Sequence, residues 1–154
     1  MMKYAPMLVI GLLGAMAQSP ASPAVFAASP TLGQETLPQA VSRFSKAWVG
    51  ADLDAIRSLV ASAGVRITFG GQDYHVLSPR QAMATIRILL RKNEGRGFEV
   101  TRVFELRGEP SRGISEVAWE AVDRDSGELI RRTLFIAFIL EAGVWRVEDL
   151  RILR

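Results

Sequence analysis

Apolar residues recur at helical spacing in two segments near the start of the folded part of the chain. The first lies between a capping box at Thr36 and Gln39 and a glycine at Gly50, with apolar positions at Leu37, Val41, Phe44 and Trp48. The second lies between Asp52 and Gly64, with apolar positions at Leu53, Ile56, Leu59, Val60 and Ala63. These patterns predict two short amphipathic helices.

The period changes to alternation after residue 64. The segment "VRITF" alternates apolar and polar residues, Gly70-Gly71 supplies a turn, and a second short strand contains Tyr74 and Val76. These two residues share one side of their strand, so we expect His75 to be exposed if that side faces the core. A third helix follows, with a capping box at Ser78 and Gln81 and an apolar face made of Ala82, Met83, Ile86, Leu89 and Leu90.

Long antiparallel strands are predicted from Phe98 onward. The segments "FEVTRVFELRG", "ISEVAWEAV", "LIRRTLFIAFIL" and "VWRVEDLRILR" are separated by short turns. The run Leu134 to Leu140 is apolar on both faces, which predicts a central strand with one side under the helices and the other covered by a partner or a cavity wall. The alternation of the last strand changes phase near Glu148-Asp149, which predicts a β-bulge there.

This order of elements predicts an α+β domain in which three helices pack on a curved, mainly antiparallel sheet made of a short strand pair and a four-stranded meander. The segments "GADLDAIRSLV", "YHVLSPRQAMATIRILL" and "GVWRVEDLRI" resemble the nuclear-transport-factor-2-like superfamily, a cystatin-like cone whose open end is often a ligand pocket. The resemblance covers about residues 37–154. Within it, "YHVLSPRQA" followed by "FEVTRVFEL" is similar to an uncharacterised exported bacterial branch.

The N-terminal segment has the pattern of a secretory signal peptide over residues 1–17. Lys3 precedes an apolar stretch, and Ala15-Met16-Ala17 fits a cleavage site, with an alternative cut after Ala27. The stretch is about ten residues long, too short to cross a bilayer of roughly 30 Å, and no cysteine is present to accept a lipid. We therefore predict an exported protein, periplasmic or extracellular, with no membrane anchor after cleavage.

A linker and one domain follow the signal peptide. Residues 18–35 are uncharged until Glu35 and rich in Ser, Pro and Ala, which predicts a disordered linker before a nuclear-transport-factor-2-like domain at residues 36–154. Without cysteine, an exported domain must be stabilised by packing alone. The 19 basic and 16 acidic residues nearly balance, and the sequence has no basic stripe with interleaved aromatics, so nucleic-acid binding is not predicted.

Candidate catalytic residues come from the resemblance. Some relatives are isomerases, dehydratases or cyclases that place a carboxylate or histidine base and a tyrosine in the cone. The catalytic alternative here is a lyase or isomerase that uses Asp149 or His75 with Tyr74; Asp73 is a further available acid. The strand that carries the base in relatives resembling ketosteroid isomerase reads "VRITFGG" here, with no acid and no histidine, which argues against that class.

For these candidate catalytic residues, non-catalytic interpretations are favoured. A solvated or salt-bridged carboxylate is the favoured interpretation of Asp149, and an exposed side chain that of His75. As His75 is the only histidine, no metal site and no cofactor are predicted.

Candidate ligand-binding residues are Arg102, Trp119 and Tyr74. Arg102 interrupts an otherwise inward apolar series, which consists of Phe98, Val100, Phe104 and Leu106. An arginine there could hold the anionic group of a ligand, but a salt bridge at the rim, with Glu120 or Asp149, is favoured because an isolated buried charge is costly. Trp119 and Arg131 are interpreted as sheet surface or dimer contact rather than ligand platform.

Taken together, these patterns predict an exported, non-catalytic domain that binds a small apolar or amphipathic ligand, or another protein, through the cone mouth or the sheet face. The lyase or isomerase is the alternative. A third hypothesis is a homodimer through the sheet face, because the doubly apolar strand Leu134 to Leu140 would otherwise leave an apolar surface exposed.

Overall fold

The computed structural model describes residues 34–153, apart from the side chains of Asp73 and Tyr74. The predicted signal peptide and all but the end of the predicted linker lie outside the described residues. In chain order the elements are α1 (Leu37–Val49), α2 (Leu53–Leu59), β1 (Val65–Phe69), β2 (Gln72–Leu77), α3 (Pro79–Lys92), β3 (Asn93–Leu106), β4 (Arg112–Asp123), β5 (Leu129–Glu141) and β6 (Val144–Leu153).

All six strands belong to one curved sheet with the order β2-β1-β6-β5-β4-β3. The strands β3 to β6 pair antiparallel in sequence order, so the predicted meander is confirmed. The β1–β2 hairpin joins this meander through a parallel pairing of β1 with β6. The predicted fold, three helices on a curved and mainly antiparallel sheet, is therefore confirmed.

The helices begin where the capping residues predict. The backbone N–H of Thr36 donates to Gln39 Oε1 at 2.9 Å, and the N–H of Ser78 donates to Gln81 Oε1 at 3.0 Å. Asp52 Oδ1 accepts from the Ala55 N–H at 3.0 Å. These bonds satisfy donors that have no partner within the helix, which is why such residues mark helix starts.

The second helix is shorter than its apolar stripe predicts. It ends at Leu59 rather than at Gly64, so the predicted helical positions of Val60 and Ala63 are wrong. Val60 is extended and forms a parallel bridge with Val147, and the Ala61 N–H donates to the Val147 carbonyl at 2.9 Å. Pairing with β6 therefore replaces the helical hydrogen bonds.

The core lies between the helices and one face of the sheet, here called the helix-side face; the opposite side is the outer face. Phe44 stacks on Trp48 with ring centroids 5.4 Å apart, and Trp48 meets Trp119 edge-on at 5.7 Å. Trp119 has no exposed surface. The prediction that it lies on the sheet surface or at a dimer contact is therefore wrong.

Strand β3 differs from its prediction in start and phase. It begins at Asn93, directly after α3, instead of at Phe98. Val100 lies opposite the buried Val117, but an irregularity then places Arg102 opposite Glu116. The extra residue turns the second half of the strand over, so the members of the predicted inward series that follow it lie on the outer face: Arg102, Phe104 and Leu106.

The predicted bulge in the last strand is confirmed. Ala137 pairs with Asp149 and Phe138 pairs with Val147, which leaves Glu148 as the extra residue. The central position of the doubly apolar strand is also confirmed, because β5 lies between β4 and β6.

The end of the predicted linker contacts the domain. Glu35, the last residue of the predicted linker, accepts the Trp145 N–H at 3.2 Å and pairs with Arg43 at 2.8 Å. Among residues 34–153, none of the helices has the length and apolar content needed to span a bilayer.

Candidate functional site

A cavity of about 600 Å³, here called the α3 cavity, opens between α3, the β1–β2 hairpin and the helix-side face. Its volume is within the range typical of small-molecule sites. Its apolar lining consists of Ile67, Phe69, Ile86, Ile88, Leu89 and Leu150. Its polar lining consists of Gln72, Thr85, Lys92, Asn93, Asp123 and Arg132.

Arg132 on β5 contributes a guanidinium group to the lining of the α3 cavity. It alternates with Leu134 and Ile136 on β5, which places it on the helix-side face. Its guanidinium carbon lies 5.0 Å from the centroid of the Phe69 ring. Its Nε is buried and has no hydrogen-bond partner in the described part of the chain, where no carboxylate lies within ion-pair distance of it either. A buried donor without a partner costs about 1–3 kcal/mol, so an acceptor oxygen from a ligand would be stabilised there.

Among the described residues, the only carboxylate that lines the α3 cavity is that of Asp123, which is held by a turn. Asp123 Oδ1 accepts the N–H of Ser126 at 3.0 Å and that of Asp125 at 2.9 Å. These backbone N–H groups lower the pKa of Asp123 below its ordinary value, and the nearby Lys92 lowers it a little further. The carboxylate is therefore ionised at neutral pH, and with Lys92 and Arg132 the described residues of the lining carry a net charge of about +1.

The structure does not bring Asp149 and His75 together. Asp149 lies opposite Ala137 on the outer face and pairs with Arg151 at 3.0 Å and Arg66 at 3.9 Å. The salt-bridged interpretation of Asp149 is therefore confirmed. His75 is exposed on the edge strand β2, as predicted.

Strand β1 separates the two groups, because two strand spacings of about 4.8 Å each lie between β2 and β6. We predicted exposure of His75 on the condition that Tyr74 and Val76 face the core. That condition is wrong for Val76, which is exposed as well. The side chain of Tyr74 is outside the described residues, so its catalytic and ligand-binding roles stay predictions.

Arg102 also lies away from the α3 cavity. Its side chain is 75% exposed, and its Nε lies 3.8 Å from Glu116 Oε2 on the outer face. The favoured salt bridge is present, but its partner is neither Glu120 nor Asp149. Arg131 pairs with Glu120 at 2.7 Å and is exposed, which confirms its predicted surface position.

Trp119 could contact a ligand only if the core rearranged, because its side chain is closed off from solvent. The candidate site residue that the sequence analysis missed is Arg132. The signal was its position two residues before Leu134, in phase with the buried side chains of β5. Within residues 34–153, no group of three or more His, Asp or Glu residues is arranged to hold a metal ion.

No protein-family model matches the sequence, and a search among curated proteins gives no match either. Solved structures do match. The chain is similar to a DUF4783 family protein from Bacteroides uniformis, with a TM-score of 0.63 and 13% identity over 77% of this chain and 97% of that one. An NTF2-like designed protein matches with a TM-score of 0.61 and 16% identity over 75% and 94% of the two chains.

A third structure is that of a protein with a ketosteroid isomerase-like fold from Catenulispora acidiphila, in complex with trimethylamine. It matches with a TM-score of 0.59 and 12% identity over 77% of this chain and 87% of that one. Identities this low show a common fold and no more.

Proposed function

We propose that this chain, which has the nuclear-transport-factor-2-like fold, is an exported binding domain that holds a small amphipathic anion in the α3 cavity. The observation that carries the proposal is the buried Nε of Arg132, which lies beside an apolar floor and has no hydrogen-bond partner among the described residues. A carboxylate accepts from the planar guanidinium fork, while an alkyl or ring portion covers Phe69 and Leu150.

The sign of the ligand charge follows from the lining. The Catenulispora acidiphila protein of similar fold is in complex with trimethylamine, an amine. In this chain Arg132 and Lys92 outnumber Asp123, and the Asp123 carboxylate is already engaged by backbone N–H groups. An anion is therefore the favoured ligand.

Binding without catalysis is the favoured activity. A general base works best with a pKa near the operating pH, whereas the pKa of Asp123 is lowered. Asp149, the acid of the lyase or isomerase alternative, is held on the outer face by two arginines. That alternative requires Asp149 or His75 to reach a common substrate with Tyr74.

Replacing Arg132 with glutamine tests the ligand proposal. We expect R132Q to weaken octanoate binding by about tenfold or more, because a charge-assisted pair is lost from a partly buried site. Isothermal titration calorimetry measures the affinity, with octylammonium as a probe of equal chain length and opposite charge. Octylammonium is expected to bind more weakly than octanoate.

The matched control for R132Q is R131Q on the same strand. Arg131 lies on the outer face and pairs with Glu120, so its loss is expected to leave octanoate affinity within about twofold, as surface pairs contribute little. Equal losses in the two variants, or equal affinity for the two probes, would show that Arg132 does not select an anion. Thermal unfolding followed by circular dichroism checks that both variants are folded.

Self-association through the outer face is a second candidate function. Phe104 and Leu106 are 46% and 44% exposed on β3. Phe104 lies opposite Ile114 on β4, which in turn lies opposite Ala137 on β5. These residues form an apolar patch that crosses three neighbouring strands. Such patches are uncommon on monomers and favour a dimer built on this face.

Substituting Phe104 tests the dimer. Sedimentation equilibrium of the unmodified chain is expected to show a dimer, and F104E is expected to be a monomer, since a buried unpaired charge opposes association. L129E places the same charge at the exposed first residue of β5, about 26 Å along the strand from Ala137, and is expected to stay dimeric because it lies outside the patch. A chain that is monomeric at every concentration rules out this interface.

A further inference from the structure

A basic surface, here called the arginine groove, runs along the α2–α3 side of the domain, on a different flank of α3 from the α3 cavity. It contains two recesses of about 510 and 400 Å³, and Arg87 lines both. The arginines of the groove are Arg57 on α2, Arg80, Arg87 and Arg91 on α3, and Arg124 in the β4–β5 turn.

The helical period aligns the arginines of α3. Arg80, Arg87 and Arg91 are seven and four residues apart, so they lie on one face of the helix. With a rise of 1.5 Å per residue, their Cα atoms are about 10 and 6 Å apart along the axis. Arg57 faces them across the first recess. The sequence analysis found no basic stripe because α3 supplies only three of these arginines, and the other two come from α2 and the β4–β5 turn.

The positive charge of the groove is not compensated by neighbouring acids. In the described part of the chain, Arg57, Arg80, Arg87 and Arg91 make no ion pair, and no Asp or Glu lines either recess. Arg124 has one long contact, 3.9 Å to Glu94.

The outer face shows the opposite arrangement. Arg112, Arg131 and Arg151 each have a carboxylate within 3.0 Å. The groove is therefore distinct from the mixed-charge surface found elsewhere on the domain.

The shape of the groove favours a small polyanion over a membrane. The floor of the first recess consists of the buried Met83, the half-buried Pro79 and the small Ala84. Among the described residues, no large apolar side chain is exposed on this flank to enter a bilayer; Ile88, which is exposed, lines the α3 cavity instead. A concave site with walls from two helices can surround a compact ligand.

We propose that the arginine groove binds a soluble oligophosphate, a small molecule with two or more linked phosphate groups that the guanidinium groups of α2 and α3 contact together. Guanidinium groups bind phosphate oxygens through paired N–H donors, which favours arginine over lysine at such sites. The site is separate from the α3 cavity and does not depend on the ligand proposed there.

Calorimetric titration of the purified chain with inorganic tripolyphosphate tests the proposal. We expect saturable binding that weakens as ionic strength rises, because screening acts strongly on exposed charges. The R57Q/R87Q double variant is expected to lose about tenfold or more in affinity, as it removes one guanidinium from each wall of the first recess. Its affinity for octanoate is expected to be unchanged.

The charge-matched control is R102Q/R107Q, which removes two exposed arginines from and beside β3 and is expected to bind tripolyphosphate as the unmodified chain does. No measurable binding of tripolyphosphate, an equal loss in both double variants, or equally tight binding of citrate would overturn the proposal. So would binding to phosphatidylglycerol vesicles without binding to tripolyphosphate, since that result identifies a lipid surface as the occupant.

Discussion

Replacing Trp119 with alanine is expected to lower the free energy of unfolding by about 3–5 kcal/mol, the usual cost of removing a large buried aromatic side chain. Trp119 has no exposed surface and contacts Trp48 edge-on, so its removal leaves a cavity between α1 and β4. Rigid neighbours on both sides limit how far that cavity can collapse. Urea unfolding followed by circular dichroism measures the effect as a lower midpoint with an unchanged slope.

Trp119→Phe is the matched control for the alanine substitution. The Trp119 Nε1 is buried and has no hydrogen-bond partner within residues 34–153, so phenylalanine removes ring volume but breaks no hydrogen bond described there. We expect a loss of about 1–2 kcal/mol, as for a moderate change of shape in a core. If W119A lowered the free energy of unfolding by no more than W119F, the packing of the Trp119 ring in the core would not contribute the stability expected from its burial.

Replacing Gly64 with alanine is expected to lower the free energy of unfolding by about 3 kcal/mol, because backbone strain and a steric clash act together. Gly64 has φ +106, which side-chain-bearing residues rarely adopt, and an added Cβ would lie 2.4 Å from the Leu77 carbonyl oxygen. The clash is with backbone, so no rotamer change relieves it. Urea unfolding again measures the effect.

Gly127→Ala separates the two causes. Gly127 also has a positive φ, +75, but nothing lies within 4 Å of an added Cβ. Only the conformational cost applies there, about 1 kcal/mol. If G64A and G127A lowered the free energy of unfolding equally, the clash of the added Cβ with the Leu77 backbone would have no measurable cost.

The Gly64 substitution also bears on the α3 cavity. Gly64 immediately precedes β1, which supplies Ile67 and Phe69 to the cavity lining. A shift of β1 would move the Phe69 ring relative to the Arg132 guanidinium. G64A is therefore expected to weaken octanoate binding as well as stability, whereas G127A is expected to affect neither strongly.

The site was harder to predict than the fold, and Arg131 and Arg132 illustrate why. The two residues are adjacent and chemically identical, yet one pairs with Glu120 on the outer face and the other lies over Phe69. Their phase relative to Leu134 was readable from the sequence, but the presence of a cavity beside Arg132 depends on how α3 and the β1–β2 hairpin approach β5. The arginine groove was not predicted either, because its walls come from α2 and α3, and the tertiary structure sets how these two helices approach each other.

Local patterns determined the helices, the hairpin, the meander and the bulge in β6, because capping, alternation and turn residues act over a few positions of the chain. Tertiary structure decided the rest. The parallel pairing of β1 with β6, the early end of α2 and the phase reversal in β3 each depend on backbone groups that are distant in sequence. The irregularity in β3 puts Arg102 on the outer face, since an extra residue in a strand turns every later side chain to the opposite side.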